Sequence, residues 1–182
     1  NALSEIAYNE KNWNSDRKVQ LEGEAFFDVA KGRQFVVSTR KGLVTVLGTK
    51  FNVKQRDAYF EVKCFEGTVR VNIQDYETVL NIGDNVRWYK GDIEKGENTY
   101  SEPQWTENVS DFQRTNVAEV FAELERQYGV TVTLDDVDGK RLFTGGFEHD
   151  NLDRALKSIT APLDLHYVIL ENDKVRVRPR EK

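Results

Sequence analysis

The sequence predicts two domains, an N-terminal all-β domain followed by a small α+β domain. Three observations carry that expectation. Apolar residues recur at every second position up to about residue 93, helical spacing appears only beyond about residue 110, and a polar stretch containing Gly96 and Pro103 separates the two patterns. The expected boundaries are 1–18 for a poorly patterned leading segment, 19–93 for the all-β domain, 94–109 for a linker and 110–182 for the α+β domain.

In the first part Val19, Leu21, Gly23, Ala25, Phe27 and Val29 alternate with Gln20, Glu22, Glu24, Phe26 and Asp28, the period of a half-buried strand. Phe35, Val36 and Val37 follow the turn-like Lys31-Gly32-Arg33. Residues 43–47 and then Thr49, Phe51 and Val53 read as two strands hinged at Gly48. Phe60, Val62 and Cys64 share one face, Val69 and Val71 continue after Gly67, and residues 79–82 run through Gly83 to Val86 and Trp88. The hinge glycines 48 and 67 each precede a threonine and stand 19 residues apart, with Gly83 a further 16 on. Glycine inside a strand pattern marks a bend. Repeated bends suit a sheet that wraps on itself, as a sandwich, a jelly-roll-like barrel or a short solenoid.

In the second part Val117, Val120, Phe121, Leu124 and Tyr128 form a helical stripe, with Asn116 placed to cap its start and Gly129 its end. Val130, Val132 and Leu134 alternate as a strand, and Leu142, Phe143 and Thr144 begin another after an aspartate-rich turn. A second helix, capped by Asp150 or Asn151, buries Leu152, Ala155, Leu156 and Ile159 and stops at Pro162. Residues 165–170 and 174–178 make a hairpin around Glu171-Asn172-Asp173. With residues 111–113 as an opening strand the order is β-α-β and then β-α-β-β, with both helices expected on one sheet.

Composition narrows the function. Lys and Arg number 26 against 31 Asp and Glu, a net charge of −5, the wrong sign for a nucleic-acid binder. The longest apolar run is four residues, 167–170, whereas a bilayer span needs about 20. The chain begins at Asn1 and has no methionine, so a segment upstream is expected to have been removed. Its single cysteine, Cys64, excludes an internal disulfide framework.

The runs GEAFFDVAKG (23–32), FVVSTRKGLVTVLGTKFNV (35–53), VKCFEGTVRVN (62–72) and LNIGDNVRW (80–88) resemble, in order, the periplasmic region of the FecR family of anti-sigma factors. VAEVFAELERQYGVTVT (117–133), FTGGF (143–147) and LDRALKSIT (152–160) are similar to the small C-terminal domain that accompanies it in Bacteroidetes-type members, a domain laid out like the secretin/TonB short N-terminal domain. The resemblance implies a periplasmic sensor region, attached to the inner membrane by a helix outside this chain. It would receive a signal by contact with the N-terminal signalling domain of a TonB-dependent outer-membrane transducer, and so control an extracytoplasmic-function sigma factor. The sigma factor would be held by a cytoplasmic segment also outside this chain. Residues 1–18 would then be the remnant of a juxtamembrane stretch.

No catalytic, cofactor or metal site is expected. His149 and His166 lack metal-ligand spacing, and Cys64 reads as a buried small hydrophobe. Asp135, Asp136 and Asp138 read as a turn, since the downstream ligands of a calcium loop are missing. Glu22 with Glu24, and Glu61 with Glu66, fall on the expected solvated face of strands. So do Glu119, Glu123 and Arg126 on the first helix. A carbohydrate-binding β-sandwich is the alternative reading, through stacking on Trp13, Trp88 or Trp105. The expected partner-binding residues are Lys174, Val175, Arg176, Val177 and Arg178, whose apolar and basic side chains alternate. At a sheet edge such a strand would accept a partner strand and steer an acidic surface toward it.

Overall fold

The structure is a computed structural model that describes residues 1–180. The chain divides into two compact units, Asn1–Pro103 and Gln104–Lys182. As the sequence predicts, the first is all-β and the second α+β.

The first unit contains β1 (Glu5–Tyr8), β2 (Lys18–Asp28), β3 (Phe35–Ser38), β4 (Gly42–Val46), β5 (Lys50–Arg56), β6 (Tyr59–Glu66), β7 (Val69–Ile73), β8 (Tyr76–Leu80), β9 (Asp84–Tyr89) and β10 (Asp92–Glu97). They form one sheet in the order β10-β9-β6-β5-β2-β3-β4-β7-β8, with β1 added on β2. The sheet wraps because β2 serves two halves. Its first residues pair with β1 and β3, and Gly23–Asp28 pair with β5. The change of partner falls at Gly23, whose φ of 112° is open to glycine, and Ser4 fills the notch where a Cβ would otherwise stand, 2.5–2.8 Å from its atoms. Gly48 and Gly67 lie between β4 and β5 and between β6 and β7. The concave side buries Val37, Val44, Phe51, Val53, Phe60, Val62, Cys64, Val69, Val71 and Val86 completely. Each such large apolar side chain contributes about 1.5–3 kcal/mol relative to exposure.

Two segments read as unpatterned are structured. Residues 5–8 pair with β2, and residues 92–97 extend the sheet beyond β9. Both strands are exposed throughout, so their side chains lack the alternation that marks a half-buried strand.

The expected solvated face holds for Glu22 and Glu66, which are exposed, but not for Glu24 and Glu61. Glu24, Lys54, Glu61, Arg87 and Glu94 lie opposite one another across β2, β5, β6, β9 and β10 as a row of alternating charge. Glu24 is buried, bonded to Asn52 Nδ2 at 2.9 Å and to Lys54 Nζ at 3.4 Å. Burial alone would raise the Glu61 carboxyl, but Lys63, Lys54 and the Tyr59 hydroxyl outweigh it and hold it below its ordinary value. The shielded Glu24 and Glu61 carboxylates meet lysines rather than open solvent.

The second unit contains β11 (Val109–Asn116), α1 (Val117–Tyr128), β12 (Thr131–Leu134), β13 (Leu142–Glu148), α2 (Leu152–Thr160), β14 (Leu165–Leu170) and β15 (Lys174–Pro179). The element order is the expected one, but the strands form two sheets instead of one. β11 pairs with β13, while β12, β15 and β14 form a separate three-stranded sheet in that order. The Gly145-Gly146 pair accounts for the first sheet: β11 comes so close that a Cβ on Gly146 would stand 2.6 Å from the Ser110 carbonyl oxygen. Asn116 makes no side-chain cap. The first amides of α1 donate instead to the Arg141 and Gly139 carbonyls, at 2.9 and 3.0 Å. Asn151 caps α2 by accepting from the Arg154 amide at 2.9 Å. Val117, Val120, Phe121 and Leu124 of α1 and Ala155, Leu156 and Ile159 of α2 share a core with Val175 and Val177. Glu123, expected on the solvated face, is buried, with Arg126 at 2.8 Å and Gln127 donating at 2.8 Å.

Candidate functional site

The expected partner-binding strand is central, not an edge. β15 lies between β12, to which it runs parallel, and β14, to which it is antiparallel. Its backbone groups are therefore used on both sides, and the edge premise attached to Lys174, Val175, Arg176, Val177 and Arg178 fails. Alternation still divides them. Val175 and Val177 are buried in the core, while Lys174, Arg176 and Arg178 are exposed on the opposite face. Arg176 Nε meets Asp135 Oδ2 at 3.2 Å.

One of the two edges next to these cations is β14. It is held to β15 by a tight turn in which Asn172 and Asp173 take φ of 58° and 55°, a backbone region these residues tolerate. Leu165 is buried, and Tyr167 is half-buried, its hydroxyl donating to Asp153 Oδ1 at 2.6 Å. Desolvation first, and then that carboxylate, push the Tyr167 phenol up to about 12, so it stays a hydrogen-bond donor. Val168, Ile169 and Leu170 are 41%, 46% and 42% exposed, three consecutive apolar side chains open to solvent. On the outer face His166, Val168 and Leu170 stand opposite Arg178, Arg176 and Lys174, and Thr133 and Thr131 of β12 stand opposite Arg176 and Lys174. The result is an apolar row beside a basic row on one sheet face. Periodicity alone could show the exposed apolar run at 167–170, but not that it lies on an edge.

Two other edges, β10 and β12, are blunted. β10 carries Asp92, Glu94, Lys95 and Glu97 and is exposed throughout. On β12 the Val132 amide donates to Glu125 Oε1 at 2.7 Å.

The remaining candidates have structural surroundings. Among the described residues no three His, Cys, Asp or Glu side chains gather as metal ligands. His149 Nε2 lies 2.9 Å from Ser110 Oγ, and burial lowers its pKa against a smaller upward pull from Glu123. Cys64 is fully buried, its thiol pushed up to about 11, by burial first and then by the Asp84 charge. Trp13 meets Tyr8 and Phe35 edge-on with Arg17 over its ring, and Trp88 is buried with Lys41 above it. Trp105 is half-buried in the 3-10 turn Gln104–Glu107. Among the described residues no helix is long and apolar enough to cross a membrane.

Comparison with known families matches residues 1–70 to the FecR protein family and residues 110–177 to the family described as FecR, C-terminal. The chain belongs to the FecR family. Two crystal structures of a candidate anti-sigma factor from Parabacteroides distasonis ATCC 8503, at 1.65 and 2.50 Å resolution, are similar over its full length. Each has a TM-score of 0.89 and 28% identity, with 89% and 88% of those chains covered. A search of curated proteins returns no match. The FecR resemblance therefore holds across both units, including the C-terminal one that carries the exposed sheet.

Proposed function

We propose that this FecR-family chain is the periplasmic sensor region of a membrane-anchored anti-sigma factor. It receives its signal by protein contact from the N-terminal signalling domain of a TonB-dependent outer-membrane transducer, and so controls an extracytoplasmic-function sigma factor. Sigma-factor binding resides in a cytoplasmic segment outside these residues. The chain transforms no substrate.

The observation that carries this reading is the outer face of the β12-β15-β14 sheet, where Val168 and Leu170 adjoin Lys174, Arg176 and Arg178. An apolar strip beside cations suits a protein partner, the first supplying buried area and the second steering and register. The family match and the likeness to a candidate anti-sigma factor supply the biological setting. Titration calorimetry between this chain and the transducer's signalling domain tests the reading. Saturable binding that weakens with added salt is expected, and no binding at any salt concentration overturns it.

A further inference from the structure

We infer that β14 takes the partner as an added strand, through its open backbone edge, and that the incoming strand carries acidic side chains on alternate residues. This rests on the docking reading above and specifies its mode.

The direction of each backbone group follows from the register. The Arg180 amide donates to the Asp164 carbonyl at 3.2 Å, so residues 164 and 180 face one another as a hydrogen-bonded pair. In an antiparallel ladder such pairs recur at every second residue. His166, Val168 and Leu170 therefore turn their N–H and C=O groups toward Arg178, Arg176 and Lys174. The other side of β15 agrees, since its Asp173 and Val177 carbonyls accept from Thr131 and Asp135 of the β12 side, at 2.8 and 2.9 Å. The N–H and C=O groups of Leu165, Tyr167 and Ile169 consequently point to the open side, where no described strand pairs with β14.

Natural edges are usually protected by charge, proline or a covering group. β10 has the charge, and β12 has the Glu125 carboxylate on its Val132 amide. β14 has neither, and ends in three exposed apolar residues. The occupant's charge follows from its neighbours. A strand beside β14 has Val168 and Leu170 next to its outer-face side chains, and the cationic row of β15 lies one strand further in, within reach of long side chains. Carboxylates on alternate residues of that strand would face those cations, whereas a basic strand would be repelled.

Amide hydrogen exchange on the full chain, alone and saturated with the transducer's signalling domain, tests the inference. In the free chain the Tyr167 and Ile169 amides should exchange fast while those of Val168 and Leu170 are protected. On binding, Tyr167 and Ile169 should become protected. Ile169→Pro, which removes an outward N–H and no bond to β15, should weaken binding about tenfold, while Ile169→Thr, which keeps the N–H, should weaken it less. Lys174→Glu should also weaken binding. Retained binding without new protection at Tyr167 and Ile169 would overturn strand addition and leave the docking reading standing. Absence of any binding by the unsubstituted chain would remove both. Concentration-dependent protection of these amides in the free chain would assign the edge to a second copy, and so overturn the inference.

Discussion

Replacing Gly48 with alanine strikes the corner between β4 and β5. Gly48 has a φ of 149°, and a Cβ there would stand 2.5 Å from Lys31 Cα and 2.9 Å from Lys31 N, both backbone atoms that cannot swing aside. Either the corner or the 29–32 segment must move. That segment is tied by reciprocal bonds between Val29 and Thr49 at 3.0 and 3.1 Å, and by the Gly32 amide to the Leu47 carbonyl at 2.9 Å. The unfavourable backbone angle costs about 1–3 kcal/mol, and disturbing one or two of these bonds adds about 0.5–1.5 kcal/mol each. The expected loss is therefore about 1.5–6 kcal/mol, a large part of the roughly 5–15 kcal/mol available to a folded protein. Gly32→Ala is the control: its φ is 141°, but no atom lies within 4 Å of a Cβ there, so it carries the angular cost alone. Urea denaturation of both variants, followed by tryptophan fluorescence, separates angle from collision. Equal losses for the two would refute the steric argument, and a loss under about 0.5 kcal/mol for Gly48→Ala would refute the corner's role altogether.

Phe121→Ala should destabilise the α+β unit by about 3–5 kcal/mol in urea denaturation, since Phe121 is 2% exposed at the centre of its core, and a loss below about 1 kcal/mol would contradict that packing. Cys64 should resist a thiol reagent at about pH 8 in the folded chain and react fully in urea, given its burial and raised pKa, and rapid labelling of the folded chain would contradict the assignment. The His149 imidazole, lowered by burial from 6.5, binds its proton more readily when unfolded, so stability is retained above 6.5 and falls as pH drops toward the folded-state value. His149→Gln should flatten that part of the thermal midpoint's pH profile, and an unchanged slope would rule His149 out as its source. Arg56 donates to the Leu3 carbonyl at 2.6 Å and the Ala2 carbonyl at 2.5 Å, so Arg56→Ala should speed amide exchange in residues 5–8 without changing exchange in β6, and unaltered exchange in residues 5–8 would show that β1 holds without that anchor.

The all-β unit was legible because Val19, Leu21, Val37, Val44, Val62 and Val71 lie on strands that bury one face, and one buried face writes a period of two. Both helices were legible for the matching reason, as the stripe of Val120, Phe121 and Leu124 shows. The local hairpin of β14 with β15 was legible from its turn, but pairing between strands distant in sequence was not. The alternation of Lys174, Val175, Arg176, Val177 and Arg178 reads the same in a central strand as at an edge, and only the partners β12 and β14 distinguish them. β1 is not legible in the sequence because its four residues are all exposed, so no alternation records its pairing with β2. Glu123 looked solvated because a helix face is inferred from apolar residues, and a carboxylate buried with Arg126 and Gln127 leaves no apolar signature. The proposed docking surface was half legible: its cations and the apolar strand paired with them were both readable as a hairpin, but not which of the two strands forms the sheet edge.

Chemical-shift mapping of the isotope-labelled chain, titrated with the transducer's signalling domain, bears most directly on the claim that this molecule works as a docking surface through its C-terminal sheet. Perturbations should centre on residues 165–178 and saturate with the partner. Perturbations confined to residues 1–103, or none at all, would contradict it.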